Sequence, residues 1–171
     1  MNPPAESAVH DPLPPVSLEP EGPDDEGFLF AVYAATRTEE LALTNWDPAL
    51  RQAFLAQQFQ AMRAGYHRQF PAGEFSIIRL GDRPVGRMVL HRGAAEIRVV
   101  DLALLPADRN RGIGTLLLQR VCAEAAAAGQ PVRLSVWQSN RAARWYERLG
   151  FRRVGEPGVY DEWEWRPATG T

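Results

Sequence analysis

Lysine is missing from this chain. Every one of its 19 strongly basic side chains is arginine, set against 21 aspartates and glutamates for a formal net charge of −2. Alongside 24 alanines, that imbalance reads as a GC-rich genome encoding arginine wherever a cation is needed. Its chemical consequence is that any phosphate site must be built from arginine forks and backbone N–H groups. A single cysteine, Cys122, excludes an internal disulfide and fits a reducing cytoplasm, the expected location. It falls mid-helix among apolar residues and reads as a small core residue. No apolar run approaches the roughly 18 residues of a membrane-spanning helix, so no membrane association is expected. The N-terminus lacks a basic-then-apolar pattern, and no secretory signal peptide is expected. His10, His67 and His91 show no metal-ligand spacing, so no metal is expected. Net negative charge without an aromatic-plus-basic stripe argues against a nucleic-acid partner.

What is present describes one domain. The 171 residues are 45% apolar and 23% charged, close to the average for soluble globular domains. Charge is uneven: residues 1–27 hold seven acids, no arginine and seven of the 14 prolines, leaving the remaining body at +5. Pro3, Pro4, Pro12, Pro14 and Pro15 block helix and withhold ladder donors, so residues 1–15 are expected to be a mobile tail and 16–171 a single domain.

The periodicity gives the order β-α-α-β-β-β-α-β-α-β-β. A short strand spans 16–19. Asp24 or Asp25 caps a helix with Phe28, Leu29, Val32 and Tyr33 on one face, and Asp47-Pro48 starts a second with the stripe Leu50, Phe54, Phe59, Met62. A hairpin over 75–90 turns at Gly81-Asp82-Arg83-Pro84. Residues 97–105, apolar on both faces except at Arg98 and Asp101, read as a central strand. A helix over 112–128, a strand over 132–136, a helix over 141–149 and a closing hairpin over 151–165 complete the chain. Helices between later strands imply at least one parallel crossover, hence an α+β or mixed-sheet α/β domain.

The most informative stretch is Asp101-Leu-Ala-Leu-Leu-Pro-Ala-Asp-Arg-Asn-Arg-Gly-Ile-Gly-Thr115. A buried strand runs into a short loop with two arginines and two glycines that opens into a helix. Such a loop aims backbone N–H groups at one spot, backed by the positive end of the helix dipole. Glycine lets backbone approach a ligand, and Arg109 and Arg111 add charge; together they signal phosphate or pyrophosphate. A P-loop needs lysine, and a dinucleotide fingerprint needs a third glycine where Leu117 stands. No acid in 131–137 could hold a ribose. Close packing of helix on strand would account for the glycines but not for the paired arginines.

Arg109-x-x-Gly112-x-Gly114 after a strand ending Leu-Ala-Leu-x-Pro resembles the acyl-CoA-binding motif of the GNAT superfamily of N-acyltransferases. Downstream, Asn140-Arg-Ala-Ala-Arg-Trp-Tyr146-Glu-Arg-Leu-Gly150-Phe151 resembles the family's second segment, in the expected order. Asn140 and Tyr146 are six residues apart, one fewer than in many members. The likeness covers residues 16–166, is most specific over 85–155, and is strongest to small bacterial members of the family.

This resemblance implies a GNAT-like fold, a mostly antiparallel central sheet flanked by helices, and acetyl transfer from acetyl-CoA (coenzyme A) to an amine. The backbone of Arg109, Asn110, Arg111, Gly112, Ile113, Gly114 and Thr115 would grip the pyrophosphate, with Arg144 or Arg148 as further forks or simply a solvated face. A bulge would splay the motif strand from its neighbour, leaving Leu102 and Leu104 to offer backbone hydrogen bonds, the Leu104 N–H polarising the thioester carbonyl. Tyr146 would protonate the departing sulfur; Asn140 would bind the pantetheine amide or cap its loop. The general base stays open among Glu96 and Asp101, of opposite side-chain parity in a regular strand, and Glu39, Glu40 and His91. Trp46 and Tyr33 are candidates for the acceptor pocket, Trp46 serving equally well as a plug under its loop. The implied partner is a small-molecule or peptide amine, including a protein α-amine. A non-catalytic acyl-CoA-binding module is the rival. Homodimers are common in the family, and no stripe here demands one.

Overall fold

The computed structural model describes residues 13–138, 142–156 and 158–168. Most of the expected 1–15 tail, and Asn140, therefore lie outside the described residues. In chain order the elements are β1 (Val16–Pro20), α1 (Glu26–Ala42), α2 (Pro48–Gln69), β2 (Glu74–Leu80), β3 (Arg83–Arg92), β4 (Ile97–Leu104), α3 (Ile113–Ala128), β5 (Val132–Trp137), α4 (Ala143–Arg148), β6 (Arg152–Val154) and β7 (Tyr160–Trp165). They form one seven-stranded sheet ordered β1-β2-β3-β4-β5-β7-β6. Every neighbouring pair is antiparallel except β4 and β5, which the α3 crossover makes parallel. The mixed sheet is the architecture expected from the element order, and its mostly antiparallel pairing is what the family resemblance implies.

Two cores hold the layers together. Ile113, Leu117, Leu118, Val121 and Ala125 of α3 pack on one sheet face with Met88, Leu90, Ile97, Val99, Leu134 and Trp163, and α4 leans on this cluster. On the other face Leu29, Tyr33 and Leu41 of α1 meet Leu55 and Phe59 of α2 over Ile77. The Asp47 carboxylate caps α2 by accepting the Leu50 N–H at 2.8 Å. Leu50 itself, expected in the apolar stripe, is half-exposed, and Leu55 takes the core position. No helix among the described residues is long and apolar enough to cross a membrane.

β4 is irregular, and that irregularity sets the site. Leu90 pairs with Val99 but Val89 pairs with Asp101, so Val100 is an extra residue bulged out of the ladder. Ile97 and Val99 belong to the α3-side core, and beyond the bulge it is Leu102 and Leu104 that pack there. Asp101 is thereby turned toward the α1–α2 face, where its carboxylate pairs with Arg87. The opposite parity of Glu96 and Asp101 expected for a regular strand is lost, because one added residue exchanges the faces.

Beside the bulge the sheet opens. β4 and β5 pair only through Ile97–Val132, Arg98–Arg133 and Val99–Leu134. Residues 100–104 run on along β3, and 135–137 along β7, with no pairing between them.

Candidate active site

The opening between β4 and β5 leads into a cleft of about 1140 Å³. Its walls include Leu102, Ala103 and Leu104 of β4, Arg109, Asn110 and Gly112–Thr115 of the loop and helix start, and Trp137, Trp145 and Arg148. α1 contributes Ala35, Thr36, Glu39 and Glu40.

Backbone direction along β4 follows from its partner. The Leu105 N–H donates to the Val85 carbonyl at 2.9 Å, on the β3 side. Side alternates along a strand, so the N–H groups of Leu104 and Leu102 point to the open edge. Gly86 agrees: a Cβ there would come within 2.2 Å of the Ala103 carbonyl oxygen, so that oxygen faces β3. In a trans peptide the Leu104 N–H points the opposite way.

The loop is tied down from below. A short turn over Pro106–Asp108 buries the Asp108 carboxylate, which accepts from Arg83 at 2.9 and 2.6 Å and from Arg111 at 3.0 Å. The Arg83 hydrogen bonds, followed by Arg111, hold this carboxyl below the usual aspartate range. Arg111 is thus partly committed to bracing the loop. Arg109 donates Nε to the Leu104 carbonyl at 3.0 Å and Nη2 to the Ala35 carbonyl at 3.4 Å, linking strand, loop and α1.

Asn110 (φ +59°) and Gly112 (φ +82°) are both left-handed, and this double reversal turns the chain into α3. Gly112 is the N-cap, its carbonyl accepting the Leu116 N–H at 2.9 Å. The N–H groups of the first helical turn have no acceptor within the helix and border the cleft. Gly114 also makes room for a neighbouring helix. A Cβ there would stand 3.3 Å from the Trp145 ring, whose Nε1 donates to Thr115 Oγ1 at 3.0 Å. α4 docks on α3 through that indole. At Gly112 a Cβ would meet nothing, so the constraint there is conformational. Gly112→Ala is expected to destabilise by about 1–2 kcal/mol, lowering Tm by roughly 2–8 °C in a thermal melt.

A buried polar group lies on the α1–α2 side of β4. Arg87 Nη2 is 2.7 Å from Asp101 Oδ2 and donates to Met62 Sδ at 3.4 Å. Nε and Nη1 of Arg87 have no hydrogen-bond partner among the described residues. Burial drives the Asp101 carboxyl above the usual aspartate range, and Arg87 pulls against it. Tyr146 packs against Trp145, Phe151 and Trp163 at ring separations of 4.9, 5.9 and 6.1 Å. Burial, then the Asp101 charge, pushes its phenol up to about 12. Tyr66 of α2 is raised further, by burial and then Asp101, with Tyr160 and Tyr33 in electrostatic reach.

The cleft brings together Leu102, Leu104, Arg109, Asn110, Gly112, Ile113, Gly114 and Thr115. Tyr146 and Asp101 adjoin one another electrostatically but are not among the residues lining it. Glu96 stands at the opposite end of β4, paired with Arg98 at 3.0 Å and Arg133 at 3.2 Å, within a lattice that continues through Glu162 and Glu164. Tyr33 is buried against Phe59, with the Arg87 and Arg37 guanidinia 5.8 and 6.0 Å from its ring centre. Trp46 packs edge-on against Phe54 at 5.0 Å. Neither Tyr33 nor Trp46 lines the cleft. Arg87 and Asp108 were not expected from the sequence, although a lone acid in an arginine-rich loop is a usable signal for Asp108. Burial raises the Cys122 thiol to about 11, leaving it protonated and unreactive near neutrality. No cluster of three potential metal ligands occurs among the described residues.

Known proteins resemble this chain in sequence and fold. A family model described as an acetyltransferase (GNAT) domain matches residues 71–153. An uncharacterized N-acetyltransferase of Schizosaccharomyces pombe is 38% identical over 63 residues, 36% of this chain; the match spans 43% of that protein, less than half its length. Among solved structures, the PaiA N-acetyltransferase of Thermoplasma acidophilum, crystallised with coenzyme A, superposes with a TM-score of 0.66 at 16% identity, covering 89% of this chain and 99% of that one. An acetyltransferase of Thermus thermophilus gives 0.64 at 20% identity, covering 88% and 96%. At those identities the superpositions establish a shared fold.

Proposed function

Because this chain belongs to the GNAT superfamily of acetyltransferases, we propose that it moves an acetyl group from acetyl-CoA to a primary amine by direct attack. The observation that carries the reading is the open edge of β4, with the Leu104 and Leu102 N–H groups aimed into a cleft that ends at the α3 N-terminus. The cleft suits the donor. Gly112 leaves open space where a side chain would stand, free N–H groups face it, and Arg109 and Arg148 supply positive charge for phosphates. Acetyl-CoA supplies an acyl carbon activated by a good leaving group.

The chain's own groups then play separable roles. The Leu104 N–H donates to the carbonyl oxygen as negative charge grows there. Asp101 accepts the proton that the attacking ammonium must lose, through water where the distance requires it. As the N–C bond forms and the C–S bond breaks, Tyr146 donates its phenolic proton to sulfur and recovers one from solvent. An amine and a thioester thus become an amide and a thiol. Arg87 positions Asp101 and keeps it from becoming a neutral acid.

Two shifted groups give the pH dependence. Asp101 must be ionised, and burial raises its pKa, so kcat/KM is expected to climb with pH through a midpoint above the ordinary aspartate value. Tyr146 must be protonated, and with its pKa near 12 it imposes no descending limb below about pH 11. A rate–pH profile checks both signs; an ascending limb that survives in Asp101→Asn removes Asp101 as the base.

The wider test is thiol release from acetyl-CoA across a panel of amines and peptide N-termini. Turnover with any of them supports the enzyme. Coenzyme A binding without turnover favours a non-catalytic binding module, a rival that draws on the absence of Tyr146 from the cleft lining.

A further inference from the structure

Exposed apolar side chains that adjoin one another beside a cleft, rather than standing singly, mark a binding surface. Trp137 and Tyr160 are 52% and 56% exposed. They are cross-strand neighbours in register on β5 and β7, their rings edge-to-face at 5.1 Å. Trp137 lines the cleft together with Glu39 and Glu40 of α1. Glu40 is engaged by Arg37 at 3.2 Å, whereas Glu39 forms no ion pair among the described residues. The Arg109 guanidinium that shares the cleft is occupied by the Leu104 and Ala35 carbonyls. The wall therefore combines a flat apolar surface with a carboxylate that no arginine pairs directly among the described residues.

We propose that Trp137, held by Tyr160, stacks on the body of the acceptor while Glu39 attracts its ammonium, so that the preferred substrate is a primary amine carried on a flat apolar group, an arylalkylamine. The inference rests on the acetyltransferase reading and narrows it. A flat apolar face and a negative charge reject amino acids with free carboxylates and leave short aliphatic amines weakly held.

The test uses the full chain, with phenethylamine and ethylamine as acceptors in the thiol-release assay and phenethylamine alone in calorimetry. Phenethylamine is expected to exceed ethylamine in kcat/KM by about tenfold or more, the scale of an aromatic and cation–π contact. Trp137→Ala should bring that ratio near one and weaken calorimetric phenethylamine binding about tenfold. Tyr160→Leu should move both in the same direction by less, and Glu39→Gln should raise KM for phenethylamine several-fold, about as an exposed charge pair predicts. Equal use of the two amines by the wild-type enzyme overturns the proposal. So does a Trp137→Ala variant that loses coenzyme A affinity while keeping the phenethylamine preference, which would assign the ring to the nucleotide base. Absence of turnover with every amine would sink the acetyltransferase reading instead; calorimetry would still decide, with phenethylamine binding lost in Trp137→Ala supporting the wall and no binding to the wild type overturning it.

Discussion

Tyr146→Phe is expected to lower kcat by about 10²–10³-fold while leaving coenzyme A affinity within about twofold. The substitution removes one oxygen and keeps the ring, so packing against Trp145, Phe151 and Trp163 survives. Stability should change by no more than about 1 kcal/mol, the net worth of a typical hydrogen bond. The loss would therefore be kinetic. Steady-state kinetics, a thermal melt and a coenzyme A titration on the same preparation separate the possibilities. An unchanged kcat would remove Tyr146 from the proton path. A collapse of Tm with kcat would instead make it a core residue whose hydroxyl matters for folding.

Gly86→Ala is expected to damage the protein twice through one peptide. The added Cβ would lie 2.2 Å from the Ala103 carbonyl oxygen and 3.1 Å from the Leu104 Cα, both backbone atoms that cannot rotate away. Overpacking of this kind destabilises by about 1–3 kcal/mol, a Tm loss of roughly 2–12 °C for a chain of this size. The carbonyl that must move belongs to the same peptide as the Leu104 N–H. Turning it re-aims the proposed oxyanion donor, and loss of one such donor lowers kcat about 10²–10³-fold. The signature is an activity deficit that persists well below the lowered Tm. Gly112→Ala, which strains the loop but leaves this peptide alone, should instead show its main effect in coenzyme A affinity.

The parts of the site legible in the sequence are those encoded locally. A strand, a turn with Gly112 at its N-cap and the helix behind it are contiguous, so their chemistry can be read in one line from Asp101 to Thr115. The element order and the parallel crossover follow from periodicity for the same reason. What cannot be read depends on register between distant segments. The family resemblance implies a bulge, but its place at Val100 exists only relative to β3, and that place decides that Asp101 faces Arg87. Gly114 reads as a ligand-approach glycine, yet its empty side is filled by Trp145, 31 residues later. Tyr33 and Trp46 are suggested only by their position near the first two helices. The helix rotation that buries Tyr33 turns the smaller Ala35 and Thr36, with Glu39, toward the cleft instead.

The short seam between β4 and β5 divides the sheet into a half of four strands and a half of three. A sheet stitched so briefly by backbone is held along that line chiefly by the α3-side core, whose residues come from both halves. An extended, amide-bearing arm laid in the gap would supply the missing rungs and act as a strut. Ligand and fold would then share one cooperative unit, with resistance to unfolding rising as RT ln(1 + [L]/Kd), about 2.7 kcal/mol at a hundredfold excess over Kd. The same gap that admits the donor would make the empty protein the softer of its two states.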